Sequence, residues 1–111
     1  KQTGADIALV HFDELCRTAL AASDFLIIAD RFKGLLMQDV PMLGDEQRDA
    51  ARRFMWLVDA LYDRGRFLVI GAAVAREEIY TGEDWQFEFS RTLSRLSQMS
   101  RYYLPSQDQE F

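Results

Sequence analysis

Residues 45–74, DEQRDAARRFMWLVDALYDRGRFLVIGAAV, decide the fold of this chain. Their first part places apolar residues at spacings of three and four, which predicts one long helix from about 45 to 64 with a wide apolar stripe. Gly65 stands where a left-handed residue closes a helix. Residues 67–74 are apolar without alternation, and we expect a strand buried on both faces of a parallel sheet. The apolar stripe comprises Ala50, Phe54, Leu57, Val58 and Leu61.

Two shorter units precede the long helix. Residues 7–12 form an apolar run that predicts a strand, and Asp13 is a candidate N-cap for a helical turn through Arg17. Ser23 is a second candidate N-cap, for a helix over 23–32. Residues 35–40 then predict a strand that Pro41 ends, because proline cannot donate to a central ladder.

The pattern continues towards the carboxyl end. Residues 76–80 predict a helical turn, and residues 86–99 predict a last helix with Phe89, Leu93 and Leu96 inward. The periodic signal fades after Met99. Strands that alternate with helices predict parallel pairing, so the fold class is an α/β layered domain, and no linker or repeat divides the chain.

Length and composition fit one globular domain. The chain has 111 residues, 49% of them hydrophobic, which excludes a disordered tail. A net charge of -5 argues against nucleic acid as a partner, since a basic face would be expected. No segment has the length of a transmembrane helix or the pattern of a signal peptide. The chain begins at Lys1 rather than methionine, so we expect it to be a piece of something longer.

Phosphate-binding and metal-binding motifs are absent from the sequence. It contains neither G-x-x-x-x-G-K-[ST] nor G-x-G-x-x-G, and Cys16 and His11 lack the spacing of a zinc site. We expect Cys16 to be a small buried hydrophobe in a reducing compartment, and His11 to have a hydrogen-bonded packing role. Asp39 lies at the carboxyl end of a strand, where open α/β sheets bind ligands, although a carboxylate there also accepts turn hydrogen bonds.

Two arginines on the last helix are the strongest candidates for chemistry. Arg91 and Arg95 are one turn apart, and like charges at that spacing repel. Either Glu88 and Asp84 compensate them, or an anion such as a nucleotide phosphate does, since a planar guanidinium suits both tasks.

A second polar set lies on the long helix. It could dock a partner, and it could equally be a solvated helix face. Its members are Arg52, Arg53, Asp59, Tyr62 and Asp63.

Several short motifs occur together and in a fixed order. The series resembles the carboxyl-terminal part of the ZapE family of P-loop ATPases, bacterial cell-division proteins related to mitochondrial proteins called ATPase family gene one. The resemblance covers nearly the whole chain. The motifs are Phe12-Asp-Glu-Leu-Cys16, Ser23-Asp24-Phe25, Asp39-Val-Pro41, Arg52-Arg-Phe54, Leu57-Val-Asp59, Leu61-Tyr-Asp63, Phe87-Glu-Phe89 and Arg91-Thr-Leu-Ser-Arg95-Leu.

The resemblance implies a three-layer, parallel-sheet, AAA+-like P-loop fold. Residues 1–111 would form its carboxyl-terminal part, with the Walker A and Walker B segments upstream. The parent protein would bind ATP and Mg²⁺ and hydrolyse ATP, whereas this chain alone would bind neither and be inactive. By the same resemblance, Arg91 and Arg95 would sense nucleotide phosphates or act as fingers in trans, where a guanidinium stabilises the charge of phosphoryl transfer.

The resemblance also implies a setting in the cell. The parent would act in constriction of the division ring, with the tubulin-like protein FtsZ as partner, in the cytoplasm at the division site or the membrane periphery. Mitochondrial-type relatives would act in protein quality control. Two other hypotheses stay open: a non-catalytic interaction module, and an unrelated α/β binding domain. Without its upstream strands the sheet would expose an edge, so self-association is expected.

Overall fold

Four parallel strands form one sheet. A computed structural model describes residues 7–72 and 74–103. The order of the strands across the sheet is the same as their order along the chain, and every neighbouring pair is parallel. This confirms the predicted alternation of strands and helices. They are β1 (Ile7–His11), β2 (Gly34–Val40), β3 (Phe67–Ala72) and β4 (Ser100–Tyr103).

Helices make the connections between the strands. They are α1 (Phe12–Cys16), α2 (Ala22–Arg31), α3 (Arg48–Asp63) and α4 (Gln86–Met99), with short 3₁₀ turns at Asp45–Gln47 and Arg76–Glu78. Helix α3 packs against α1, α2 and α4, so it lies at the centre of the helical layer. Within the described ranges, no helix combines the length and the apolar character that a membrane crossing requires.

The apolar stripe of α3 is the core of the domain, as predicted. Phe54, Leu57, Val58 and Leu61 are fully buried. Phe54 lies between two other rings, with centroid distances of 6.1 Å to Phe12 and 6.2 Å to Phe89. The helix ends as expected, because Gly65 adopts a φ of 68°, in the left-handed region that glycine enters without strain.

The predicted N-caps of the two first helices were wrong. The cap of α1 is His11, whose Nδ1 accepts from the Asp13 backbone N–H, while Glu14 accepts from the backbone N–H of His11. The cap position of α2 is Ala21, and its backbone N–H donates to the carboxylate of Asp24 at 2.8 Å. A carboxylate three residues into a helix can therefore replace a capping side chain.

Only one face of the sheet is covered by the described helices. Burial alternates along β3, with Leu68, Ile70 and Ala72 buried and the residues between them half-buried, so the prediction of burial on both faces was wrong. On the second face Leu36 lies beside Val69, and the Phe67 ring lies so close to Gly34 that a Cβ there would be 2.3 Å from it. The described residues thus form two of the three expected layers, with an apolar second sheet face.

Strand β4 was missed by the sequence reasoning. It follows α4 without a turn motif and pairs with β3 from Leu68 to Gly71. Its four residues are too short to show a period, and long-range pairing with β3 defines it. The polar end predicted beyond it, and position 73 in the predicted strand 67–74, lie outside the described residues.

Candidate binding cleft between α3 and α4

Loops at the carboxyl edge of the sheet fix the start of α4. The backbone of Leu43 bridges to Tyr80 in parallel pairing. The Tyr80 hydroxyl accepts from the Trp85 N–H at 3.0 Å, and the Trp85 carbonyl accepts from the Phe89 N–H at 2.7 Å. Trp85 is thereby held at the first turn of α4, because both its backbone N–H and its carbonyl form hydrogen bonds.

Asp45 supports the same loop. Its carboxylate accepts from the Glu83 backbone N–H at 2.9 Å and more weakly from the Tyr80 hydroxyl at 3.4 Å. The bond from Glu83 holds the pKa of Asp45 below its usual range, since it favours the charged form. Burial raises the pKa of Tyr80, so this phenol stays protonated.

Between α3 and α4 there is a half-open cleft of about 170 Å³. The guanidinium of Arg52 occupies one side of it, with its carbon 5.6 Å from the ring centroid of Trp56 and 5.4 Å from that of Trp85. Two indole faces therefore hold one guanidinium in place by cation–π attraction. Asp59, Glu88 and Arg91 also line the cleft.

Two donors beside this cleft have no acceptor in the described part of the chain. They are Nε of Arg52 and Nε1 of Trp85, both buried. Arg52 forms an ion pair with Asp49, in which Nη2 lies 3.8 Å from the carboxylate and the two side chains are 43% and 76% exposed. An unsatisfied buried donor costs roughly 1–3 kcal/mol, and an ordered water or a bound group is the usual partner of such a donor.

The structure engages Arg95 in an intramolecular pair. Its guanidinium donates to the carboxylate of Asp59 and lies 4.9 Å from the ring centroid of Tyr62. The Tyr62 hydroxyl in turn donates to Gln98 at 2.9 Å. Both charged side chains of the pair are about one third exposed or less, which limits screening by water.

Arg91 lies apart from that pair. Its side chain is exposed, and no ion pair or hydrogen bond engages it within residues 7–72 and 74–103. The compensation expected from Asp84 does not occur, because Asp84 pairs with Arg48 at 3.2 Å. The structure thus brings Arg91 together with Arg52, across the cleft, rather than with Arg95. Whether Arg91 or Arg95 senses phosphate stays a prediction.

The predicted polar patch on α3 is divided between opposite sides of the helix. Arg53 faces α1 and α2, where it donates from Nη1 to the Cys16 carbonyl at 3.2 Å and from Nε to the Leu20 carbonyl at 3.3 Å. Asp63 is exposed at the carboxyl end of α3. Arg52 and Asp59 line the cleft, and Tyr62 lies beside it against Arg95, so the structure brings two of the five residues to this site.

His11 and Asp39 meet at the carboxyl edge of the sheet. Nε2 of His11 lies 2.8 Å from the Asp39 carboxylate, while its Nδ1 accepts the Asp13 N–H. Both ring nitrogens are occupied, in agreement with the predicted hydrogen-bonded role of His11. Asp39 has a φ of 60°, which is unusual for a residue with a side chain.

Cys16 is a buried hydrophobe, as predicted. It is fully buried and free of disulfides. Burial raises the pKa of its thiol to about 12, against a smaller lowering by the nearby Arg53. A nucleophilic role would need a thiolate, which this environment disfavours.

Metal ligands do not cluster in the part of the chain that the structure describes. No group of three or more His, Cys, Asp or Glu side chains lies there at ligand distance.

Trp56 and Trp85 are the site residues that sequence reasoning missed. Trp56 follows Arg52 by four residues, so this contact was readable from the helical spacing. Trp85 stands before α4, next to the break at Gly82, and nothing in its spacing connects it to Arg52. Only the packing of α4 on α3 brings the two together.

The architecture is that of a parallel-sheet α/β domain. The chain belongs to the AFG1-like ATPase family, whose pattern matches residues 1–106.

Individual relatives extend this result. The chain is 41% identical to the cell division protein ZapE of Escherichia coli K12 over 96 residues, which are 86% of this chain and 26% of that protein. It is 30% identical over 130 residues to lactation elevated protein 1 homolog B of Danio rerio, covering 88% of this chain and 26% of that protein. The chain thus spans about a quarter of these curated relatives. No solved structure matches.

Proposed function

We propose that this chain is the carboxyl-terminal part of a ZapE-like ATPase whose nucleotide-binding loops lie upstream of residue 1. The observation that carries the proposal is the family match over residues 1–106, together with 41% identity to a ZapE protein of which this chain covers 26%. On this proposal ATP and Mg²⁺ are bound by the longer protein, at Walker A and Walker B segments that these 111 residues do not contain.

The second face of the sheet supports the proposal. Sheets made only of parallel strands normally have helices on both faces. Here Leu36, Phe67 and Val69 are only half-buried, on a face opposite to the described helices. We propose that the upstream polypeptide supplies the third layer of a P-loop NTPase-like fold and covers this apolar surface.

The cellular role follows the relatives' names. The name cell division protein ZapE supports a function in division. From the family resemblance we further propose FtsZ as the partner and the cytoplasm, at the division site or the membrane periphery, as the location. Action in mitochondrial protein quality control is the alternative that the wider resemblance offers. Self-association of these 111 residues, through a sheet edge left open without the upstream strands, belongs to the same proposal.

A second candidate function is a protein-interaction module. It is favoured by the α3–α4 cleft, where two tryptophans and two arginines meet, since Trp and Arg are enriched at the centres of protein interfaces. The two functions are compatible within one longer protein.

The first test is the reading frame upstream of Lys1. A G-x-x-x-x-G-K-[ST] loop after a predicted strand supports the ATPase proposal, and the absence of such a loop contradicts it.

The second test is Mg²⁺-dependent ATP turnover by the full-length protein. We expect turnover that is abolished when the lysine of that loop is replaced. A full-length protein without ATP hydrolysis would contradict the proposal.

The same assay decides the prediction for the two arginines. Arg91→Ala and Arg95→Ala are compared with Arg31→Ala, an exposed arginine at the end of α2. Replacement of a phosphate-sensing arginine should lower turnover by roughly 10³-fold. Arg31→Ala should leave turnover unchanged. Unchanged turnover in both variants, with normal folding, would remove them from the nucleotide site and leave the ATPase proposal intact.

A further inference from the structure

We infer that His11 is a proton-sensitive latch at the carboxyl edge of the sheet. The neutral imidazole joins the start of α1 to the end of β2, and a proton added at Nδ1 releases the start of α1. Histidine suits this role because an imidazole ordinarily changes its charge between pH 5 and 8. The inference goes beyond the ATPase proposal and does not depend on it.

The contacts of the ring fix which nitrogen carries its proton. Nδ1 lies 3.1 Å from the backbone nitrogen of Asp13 and accepts its N–H, so Nδ1 is unprotonated. Nε2 lies 2.8 Å from a carboxylate oxygen of Asp39, which only accepts, so the ring proton is on Nε2. His11 therefore binds α1 through one nitrogen and β2 through the other, and the neutral Nε2–H form is the one that does both.

Protonation exchanges one contact of this ring for another. A proton from solvent adds to the lone pair of Nδ1, which is the lone pair that accepts the Asp13 N–H, so the capping bond is lost. The new Nδ1–H faces the Asp13 carboxylate, whose Oδ2 lies 3.8 Å away. Nε2–H keeps its bond to Asp39 and becomes half of an ion pair. The link to β2 is thus kept while the backbone of α1 is released.

The charged groups around the ring give each protonation state its partners. The carboxylates of Asp13 and Asp39 favour the imidazolium, whereas the Asp13 N–H opposes it. Arg17 also opposes it, since its Nη1 donates to the Asp13 carboxylate at 3.0 Å. On α3, Arg53 contacts α1 at the other end of that helix. The His11 and Asp39 side chains are 40% and 72% exposed, so a proton from solvent can reach the ring.

Helix α1 depends on this cap because it is short. It has five residues, and two reciprocal bonds hold its start: the Asp13 N–H to Nδ1, and the backbone N–H of His11 to the Glu14 carboxylate at 2.8 Å. A helix of this length contributes little stability by itself. Loss of one of the two bonds therefore loosens the turn that carries Phe12, which is fully buried against Phe54.

The other end of the latch is a strained residue. Asp39 has a φ of 60°, and the register between β2 and β3 shifts between Met37 and Val40. A left-handed residue with a side chain costs free energy and persists where its surroundings hold it. The bond from Nε2 of His11 holds the side chain of Asp39. The imidazole thus couples a strained bulge of β2 to the first turn of α1.

The test uses the full-length protein with ¹⁵N-labelled histidine. Long-range ¹H–¹⁵N correlations show which ring nitrogens carry protons, and the His11 signals are those that vanish in His11→Asn. At pH 8 we expect the Nε2–H form. Labelling phenylalanine with carbonyl ¹³C and aspartate with ¹⁵N selects the Asp13 amide, because Phe12–Asp13 is the one Phe–Asp step in these 111 residues.

The amide of Asp13 reports the release of α1. As the pH is lowered from 8 to 5, its proton resonance should move upfield in step with the protonation of His11. Its exchange with solvent, corrected for the intrinsic effect of pH, should rise by roughly fivefold because a capping bond is lost. The amide of Ala21 is the internal control. The Asp24 carboxylate, not an imidazole, accepts from it at 2.8 Å, and it should not respond.

Two variants separate the parts of the latch. In His11→Asn the side-chain oxygen caps a helix well and does not titrate, so the Asp13 amide should stay constant from pH 8 to 5. Asp39→Gly removes the acceptor of Nε2–H and adopts a φ of 60° without strain. It should let both tautomers of His11 coexist and speed exchange of the Asp13 amide already at pH 8.

Four results would overturn the inference. Three of them are a ring proton on Nδ1 at pH 8, an Asp13 amide that does not follow the protonation of His11, and an Asp13 amide that still responds to pH in His11→Asn. The fourth is an unchanged ring in Asp39→Gly, because β2 would then have no part in the latch. The response of the Asp13 amide is measured on the wild-type protein, so it decides the inference even where a variant fails to fold.

Discussion

Helix α3 borders two seams, and two consecutive arginines show how they differ. In the seam with α1 and α2, Arg53 donates to the carbonyls of Cys16 and Leu20. In the seam with α4, Arg52 lies between two tryptophans and its Nε has no acceptor among residues 7–72 and 74–103. The same residue type at adjacent positions thus has a satisfied environment on one side of the helix and an incomplete one on the other.

This difference teaches where structure ends and function begins in the helical layer. Donors that are paired within the chain contribute to folding. Donors that are buried without a partner in the chain cost stability, and a bound water or another bound group is what satisfies them. We therefore treat the α1/α2–α3 seam as structural and the α3–α4 seam as the surface for function.

The largest expected effect comes from the residue that joins both seams. Phe54 contacts Phe12 on one side and Phe89 on the other, and it is fully buried. Phe54→Ala should lower the free energy of unfolding by about 3–5 kcal/mol, measured by urea denaturation. Phe87→Ala, at an exposed ring, should change it by less than about 0.5 kcal/mol. A loss below about 1 kcal/mol for Phe54→Ala would show that the two seams do not share a core.

The reactivity of the Cys16 thiol reports whether the α1/α2–α3 seam is closed. This thiol has a pKa raised to about 12 by burial, against about 9 in an exposed cysteine. The thiolate fraction at pH 8 is therefore roughly a thousandfold lower, and alkylation by iodoacetamide should be slower in the native than in the urea-unfolded protein by at least about 100-fold.

The raised pKa of Cys16 also makes the stability of the fold depend on pH. Folding favours the neutral thiol, so its contribution is fully present below the unfolded pKa and is lost as the pH rises towards 12. Rapid native-state alkylation at pH 8 would show that the α1/α2–α3 seam is open.

The second seam contains one satisfied pair whose energy can be isolated. Asp59 and Arg95 form an ion pair under the Tyr62 ring. A double-mutant cycle with Asp59→Ala and Arg95→Ala should give a coupling energy of roughly 1–2 kcal/mol, above the usual value for exposed pairs because both groups are mostly shielded. A coupling near zero would mean that Arg95 is available for phosphate.

A smaller, pH-dependent effect is expected at the loop that holds Trp85. The pKa of Asp45 is lowered chiefly by the Glu83 N–H, so its carboxylate stabilises the fold above the unfolded pKa near 4 and ceases to do so as the pH falls through the lower folded value. Asp45→Asn should flatten the fall of thermal stability below pH 4. An unchanged acid profile would remove Asp45 from the support of the cleft.

Much of the fold was predictable because local patterns encode it. The stripe of α3, the left-handed Gly65 and the parallel order of strands all follow from periods and turn residues. The N-caps were missed because capping by His11 and by Asp24 depends on local geometry that the residue types alone do not fix. The apolar run predicted the strand β3 but not its burial, because alternate residues of β3 are half-buried on the face that the described helices leave uncovered.

The candidate site was predictable only in part. Arg52 and Asp59 were singled out on α3, and Arg91 on α4, but as members of two separate sets. The two sets meet only because α4 packs against α3, and no residue spacing within either helix specifies that packing. Trp85 was missed for the same reason, since its position comes from the bond to the Tyr80 hydroxyl across a loop.

The most direct test is one urea-denaturation series on Arg52→Gln and Arg53→Gln in the full-length protein, monitored at the unfolding transition of this domain. Arg53→Gln should lose roughly 2–3 kcal/mol, because two hydrogen bonds from a charged donor to carbonyls are weakened. Arg52→Gln should lose less than about 1 kcal/mol, since the lost stacking is offset by removal of an unsatisfied donor. Equal losses, or a larger loss for Arg52→Gln, would contradict the assignment of folding to one seam and binding to the other.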